Sequence, residues 1–170
     1  MNTSTTIADL NALSDKQAFL QFEQACCAPN WVKGLVNARP FVDQVDLLSK
    51  AKQVWQSLSE EDFLAAFDGH PMIGDVSTLK EKYRNTQSEA SHEQSGVNQA
   101  SDEVIAELAA RNKEYFDKFG FIFIVFATGK SAQQMLDLLM ARLPNTRSQE
   151  IANAAAEQAK ITELRLEKML

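Results

Sequence analysis

Signals that start helices recur along this chain, and they constrain its fold more than any other feature of the sequence. Ser14 is followed three residues later by Gln17, and Ser131 by Gln134. Each pair is a capping box, in which the two side chains satisfy backbone N–H groups at a helix start. Ser59 precedes acidic residues, which the positive end of a helix dipole favours. The sequence therefore predicts helices from Lys16 to Cys26, from Glu60 to Phe67 and from Ser131 to Arg142.

Further helices follow from periodic apolar positions and from residues that stop helices. They are a segment that opens at Pro29 or Asn30 and ends at Pro40, then Val42 to Leu58, Ser101 or Asp102 to Gly120, and Arg147 to Leu170. The terminal helix carries an apolar stripe at Ile151, Ala155, Ala159, Thr162 and Leu166.

The run from Phe121 to Phe126 is apolar throughout, so its pattern does not distinguish a strand from a buried helical turn. Because no second strand candidate exists to pair with it, we expect helical or irregular backbone there. The predicted fold is all-α, with about eight helices in a single compact domain of residues 1–170.

Charge and hydropathy exclude several classes of protein. The formal net charge is −6 and the pI is near 5.0, whereas nucleic-acid-binding proteins gather Lys and Arg on one face. The longest strongly apolar stretch, Phe121 to Thr128, is far shorter than the roughly 20 residues of a membrane-spanning helix. The N-terminal residues do not resemble a signal peptide, and Lys168-Met169-Leu170 is not the peroxisomal Ser-Lys-Leu signal. We therefore expect a cytoplasmic protein with no nucleic-acid or membrane partner.

Two cysteines, Cys26 and Cys27, are neighbours in sequence. They cannot close an ordinary stapling loop, and no further Cys exists to complete a metal site with them. The sequence predicts reduced thiols that serve in packing.

Imidazole chemistry is confined to two histidines, His70 and His92. His70 follows the helix-stopping pair Asp68-Gly69 and precedes Pro71, which disfavours helical backbone at His70. It therefore lies at a helix-to-loop junction, where working side chains are often presented. The alternative is a capping side chain without a catalytic role, and for His92, in a polar stretch, we expect an ordinary solvated side chain.

Metal and phosphate sites have no counterpart in the sequence pattern. The two histidines are not spaced for a shared metal ion, and neither a Gly-rich loop before a helix nor a Gly-x-Ser-x-Gly turn is present. Glu93, Gln94 and Arg165 by themselves are typical of solvated helix surfaces. The individual residues thus indicate a helical domain with one candidate histidine and no metal site.

An ordered set of short motifs adds to this interpretation. His70-Pro71 is followed by Ile73-Gly74, then by Glu93-Gln94-Ser95, and further pieces follow in order: Asn112, Tyr115, Lys118 to Phe121, Arg142-Leu143, Glu150, Ile161 and Arg165-Leu166. In order and spacing this set resembles the 2-oxo-4-hydroxy-4-carboxy-5-ureidoimidazoline (OHCU) decarboxylase family, whose members form (S)-allantoin in urate catabolism. The resemblance covers nearly the whole chain.

The resemblance implies an all-helical, homodimeric enzyme that uses neither a metal nor an organic cofactor. By position, His70 matches the family's catalytic histidine, and Glu93 and Arg165 match residues expected to act with it. Pro71 and Gln94 match substrate-binding positions. A looser match implies that the ring of the substrate is held by the segment Val125, Phe126, Ala127, Thr128 and Gly129.

One position departs from the family pattern. Many members have Ser three residues before the Glu, whereas this chain has Ala90 there, with Ser91 beside it. A hydroxyl contact to the substrate is therefore lost or shifted, and we assign no role to either residue.

Two other functions are compatible with a helical domain. A binding or regulatory module would keep the fold without activity, although it would not need His70, Glu93 and Arg165 together. A hydrolase acting on a neighbouring intermediate would need an activated water, and no metal or second histidine is placed in the sequence to supply one.

Overall fold

The computed structural model describes residues 5–70, 76–79, 81 and 102–170. All regular secondary structure within these residues is helical, and no strand occurs among them, so the all-α prediction is confirmed. The helices with defined bounds are α1 (Ile7–Ala12), α2 (Asp15–Glu23), α3 (Pro29–Asn37), α4 (Gln44–Gln56), α5 (Glu60–Asp68), α6 (Asp102–Phe119), α7 (Ala132–Arg142) and α8 (Arg147–Met169). Residues 76–79 and 81 are also helical.

The predicted helix starts are confirmed where their side chains lie within the described residues. Ser14 Oγ accepts from the backbone N–H of Gln17 at 3.1 Å, and Ser131 Oγ accepts from that of Gln134 at 3.2 Å. At the start of α5 the roles differ, because the carboxylate of Asp62 accepts from both the backbone N–H and the hydroxyl of Ser59. These contacts are local, which explains why the sequence alone located them.

Two predicted helices are shorter in the structure than expected. Helix α2 ends at Glu23 rather than Cys26, because the backbone N–H of Ala25 turns tightly to the carbonyl of Phe22 at 2.9 Å. Helix α4 runs from Gln44 to Gln56 rather than from Val42 to Leu58. Asp43 Oδ1 accepts the backbone N–H of Asp46 at 2.8 Å as the N-cap, and Ser57 is the C-cap. Helix α1 was not predicted at all, because it has only 6 residues and no long apolar period.

The described residues form two compact units. The terminal unit comprises Met1–His70 and Ile151–Leu170, and the central unit comprises Pro71–Glu150. Across the described helices, none is both long enough and apolar enough to cross a lipid bilayer.

Two buried tryptophans tie the helices of the terminal unit together. The indole N–H of Trp31 donates to the carbonyl of Ala51 at 3.1 Å, and that of Trp55 donates to the carbonyl of Ala155 at 3.0 Å. Trp31 is fully buried and Trp55 nearly so. Each side chain thus contributes apolar burial without leaving its one donor unsatisfied, and Trp55 joins α4 to the terminal helix.

The core of the central unit is aromatic. The ring of Tyr115 lies 4.5 Å from that of Phe119, 5.9 Å from that of Phe121 and 5.3 Å from that of Phe123, measured between centroids. Residues 122–127 have no regular secondary structure. The expectation that the apolar run after Gly120 is not a strand is therefore confirmed, and its aromatic side chains serve in packing.

Candidate active site

His70 directly follows α5, at the junction that the sequence predicted. The helix ends at Asp68, with Gly69 as its C-cap, and the backbone N–H of His70 still donates to the carbonyl of Phe67 at 3.1 Å. The backbone of His70 is therefore held by the last turn of the helix, while its half-buried side chain lies beyond the helix end.

Cys27 packs directly against the end of this helix. Its thiol donates to the carbonyl of Ala65 at 3.4 Å, and a Cβ added to Gly69 would lie only 2.1 Å from its sulfur. Gly69 is therefore required by close approach. Both cysteines are free thiols, as predicted, and burial raises the pKa of Cys27 and raises that of Cys26 to about 11. The raised pKa values keep both thiols protonated near neutral pH.

The imidazole of His70 is held by a residue of the terminal helix. His70 Nε2 lies 2.5 Å from Oε1 of Gln158, and Nε2 of Gln158 donates to Oγ1 of Thr162 at 3.0 Å. Gln158 is 1% exposed and Thr162 is 7% exposed. We call these three residues the His70 cluster.

Arg165 lies on the same face of α8 as Gln158 and Thr162, because the three positions are spaced by four and three residues. Its side chain is exposed, and Nη1 donates to the carbonyl of Ala25 at 3.3 Å. The charge of Arg165 acts on the His70 ring electrostatically. The structure thus brings together two of the residues that the sequence assigned to the site, His70 and Arg165.

The pKa of His70 is lowered from its ordinary value of 6.5. Burial of the ring is the largest cause, the hydrogen bond to Gln158 raises the pKa in partial opposition, and the positive charge of Arg165 lowers it further. The imidazole is consequently neutral near pH 7, which is the form that can accept a proton.

Three of the predicted site residues, Pro71, Glu93 and Gln94, lie outside the described residues, as do Ala90, Ser91 and His92. Their predicted roles stay predictions.

The predicted substrate-binding segment, Val125 to Gly129, lies in the central unit and ends in a tight turn. The backbone N–H of Lys130 donates to the carbonyl of Ala127 at 3.0 Å, and Gly129, the third residue of the turn, has φ of 77°. A type II turn needs a positive φ at that position, which favours glycine. Val125, Phe126 and Ala127 are partly buried, whereas Thr128 and Gly129 are exposed.

A buried ionic cluster supports this segment from within the central unit. Glu150 is fully buried; its Oε1 accepts from Arg142 Nε at 2.7 Å and from the Tyr115 hydroxyl at 2.6 Å, and its Oε2 accepts from Asn145 at 2.9 Å. Arg142 Nη1 also donates to the carbonyl of Ile124 at 2.7 Å. We call these residues, without Ile124, the Glu150 cluster, and it anchors the backbone just before Val125.

Sequence reasoning missed both clusters as networks. Thr162 belongs to the predicted apolar stripe and Gln158 belongs to no motif, although both stand on the face of Arg165. Arg142, Tyr115 and Glu150 belong to the ordered set of motifs, which predicts no contact between them. The available signal was the spacing of polar residues on one helix face, which periodicity of apolar residues does not capture.

Among the described residues, no three His, Cys, Asp or Glu side chains are grouped closely enough to share a metal ion. The described site residues offer a neutral imidazole, His70, and a guanidinium group, Arg165, whose charge acts on that imidazole.

Comparisons with known proteins show which family this chain resembles. The uric acid degradation bifunctional protein TTL of Arabidopsis thaliana is 31% identical over 150 residues, which are 88% of this chain and 46% of that protein. The OHCU decarboxylase of Halalkalicoccus jeotgali is 26% identical over 173 residues, with 98% of this chain and 93% of that protein covered. The chain spans between a quarter and a half of the length of the bifunctional relatives it matches.

A solved structure described as OHCU decarboxylase in the presence of (S)-allantoin superimposes with a TM-score of 0.71 and 29% identity, over 92% of this chain and 97% of that one. The model of the OHCU decarboxylase family matches residues 11–167. With nearly all of its length matched by that model, this chain belongs to the OHCU decarboxylase family.

Proposed function

We propose that this chain decarboxylates 2-oxo-4-hydroxy-4-carboxy-5-ureidoimidazoline to (S)-allantoin, with His70 as the acid–base residue. The observation that carries the proposal is the half-buried, neutral imidazole of His70 held by Gln158 beside the positive charge of Arg165. The identity of the substrate is proposed from membership of the OHCU decarboxylase family.

The reaction breaks the bond between a ring carbon and the carboxylate. Carbon dioxide leaves, and the electron pair of the broken bond spreads into the ring as an enolate-like species, which needs electrostatic support. Neutral His70 accepts the proton of the substrate hydroxyl and returns one proton to carbon on a single face of the planar intermediate, which produces the S configuration. One proton from solvent balances the departure of neutral carbon dioxide from a carboxylate.

Arg165 suits an anionic or carbonyl oxygen of the substrate, because a guanidinium group forms short charge-assisted hydrogen bonds. For Glu93 we propose a contact that orients His70 or accepts from ureido N–H groups, and for Gln94 a hydrogen bond to a ring amide. Pro71 would shape the pocket, and the Val125–Gly129 segment would bind the ring. These assignments rest on the family resemblance.

We further propose that residues 1–170 act as one decarboxylase domain, since a single family model spans residues 11–167. A homodimeric, cytoplasmic enzyme that needs no cofactor is the corresponding expectation for the intact protein, and it rests on the family resemblance and the composition.

The test is circular dichroism of allantoin formed from freshly generated substrate, with wild type compared to folded His70→Ala. We expect rapid accumulation of optically active product with wild type and a loss of about 100-fold or more in the variant, the usual contribution of a general acid–base residue. If wild type adds nothing to the slow racemic background, the decarboxylase proposal is wrong, and a binding module that keeps the fold becomes the better explanation.

A further inference from the structure

We propose that Gln158 is a positioning residue that holds His70 as the Nε2–H tautomer, so that Nδ1 is the ring nitrogen that takes and returns the proton. This inference rests on the proposed function for the role of the proton, but its central claim, the tautomer, concerns the protein alone.

The hydrogen bond between His70 Nε2 and Gln158 Oε1 assigns the ring proton. An amide oxygen only accepts hydrogen bonds, so a ring nitrogen 2.5 Å from Oε1 of Gln158 must carry the hydrogen. A neutral imidazole has one N–H group, which leaves the lone pair on Nδ1. Within the described part of the chain, the ring makes no other hydrogen bond.

The assignment also depends on the orientation of the Gln158 amide, since a flipped amide would reverse it. The contact of this amide with Thr162 fixes its orientation in the structure. Gln158 Nε2 donates to the Thr162 hydroxyl at 3.0 Å, so the Gln158 oxygen is turned to His70.

Gln158 is a polar side chain in a buried position. It is 1% exposed, on a helix face that also carries the fully buried Leu166, so an apolar side chain would fill this position at a lower desolvation cost. The buried amide has a partner at each of its two polar atoms, because its oxygen faces the ring nitrogen and one of its two N–H groups bonds Thr162. This arrangement orients the imidazole.

The experiment measures the two imidazole nitrogens of His70 by proton–nitrogen correlation in the ¹⁵N-labelled full chain. Only two histidines exist, so the spectrum of His70→Ala assigns the signals. In wild type above the pKa of His70, we expect a protonated Nε2 with a slowly exchanging proton and an unprotonated Nδ1. A protonated Nδ1 with an unprotonated Nε2 would overturn the proposal.

Variants then test the cause. In Gln158→Leu the slowly exchanging proton should disappear, the pKa of His70 should fall further, and kcat should drop about tenfold with little change in KM, because one hydrogen bond is lost from the acting group. Gln158→Glu keeps an acceptor at the same place, so it should retain the Nε2–H tautomer and raise the pKa. Ile151→Val, a buried truncation on the same helix, should leave tautomer and pH profile unchanged.

Should Gln158→Leu not fold, Thr162→Val serves in its place, because it removes the partner that orients the amide. This variant too should weaken the preference of His70 for the Nε2–H tautomer. Unchanged tautomer, pKa and kcat in the folded variants would overturn the role of Gln158. Absence of activity in wild type would instead contradict the proposed function, and the wild-type spectrum would still decide the tautomer.

Discussion

The His70 cluster and the Glu150 cluster solve the same problem, a polar group inside a helical core, in opposite ways. In the terminal unit, His70 is neutral and half-buried, and one amide and one hydroxyl relay its hydrogen bonding. In the central unit, Glu150 is charged, fully buried and bonded on both carboxylate oxygens.

The difference indicates different roles. A neutral imidazole can accept a proton and return it, since imidazole titrates not far from physiological pH. A buried ion pair cannot, because removing either charge leaves the other desolvated and unpaired. The His70 cluster is therefore suited to proton transfer. The Glu150 cluster instead fixes the backbone, because Arg142 donates to the carbonyl of Ile124, just before the predicted substrate-binding segment.

Among variants that test this difference between the two clusters, we expect Glu150→Ala to have the largest effect on stability. The change leaves Arg142, whose side chain is only 12% exposed, without its charged partner, and should lower the free energy of unfolding by about 3–5 kcal/mol. Chemical denaturation measures it.

The matched control is Glu107→Ala, which removes the ion pair between the partly exposed Glu107 and Arg111 side chains on α6; exposed pairs contribute little. The double variant Glu150→Ala with Arg142→Met should recover part of the loss. Equal, small losses for Glu150→Ala and Glu107→Ala would contradict a structural role for the Glu150 cluster.

A smaller effect is expected for Gly69→Ala, next to His70. The new Cβ would meet the Cys27 sulfur at 2.1 Å, and relief of this overlap should cost about 1–3 kcal/mol of stability. Adding Cys27→Ala makes room and should restore much of the loss, as measured by denaturation of both variants. If the double variant were no more stable than the single one, close packing against Cys27 would not be the reason for glycine at this position.

The smallest effect is a pH shift from Arg165→Gln. Because the positive charge of Arg165 lowers the pKa of His70, its removal should raise that pKa, and the ring should protonate at higher pH than in wild type. An NMR titration of His70 measures this without any need for turnover. Arg165→Lys keeps the charge and should titrate like wild type; a shift of equal size in both variants would argue against an electrostatic cause.

Much of the helical framework and part of the candidate site were predictable from local sequence. The starts at Ser14 and Ser131 depend on side chains three residues apart, and the position of His70 depends on the adjoining Gly69 and Pro71. Contacts of this range are encoded in short segments, so a single sequence suffices to find them. Helix ends were less accurate, as α2 and α4 show, because the last turns yield to tight turns and caps that compete with the helical period.

By itself, the sequence determined the all-α class, the placement of His70 after a helix and the family resemblance, which the match of the family model to residues 11–167 confirms. The tertiary structure decided what surrounds the ring: Gln158 lies 88 residues from His70 in the chain, yet its oxygen lies 2.5 Å from the imidazole. Neither local propensity nor apolar periodicity indicates such a partner, because a buried amide is stabilised only by a hydrogen bond that forms on folding.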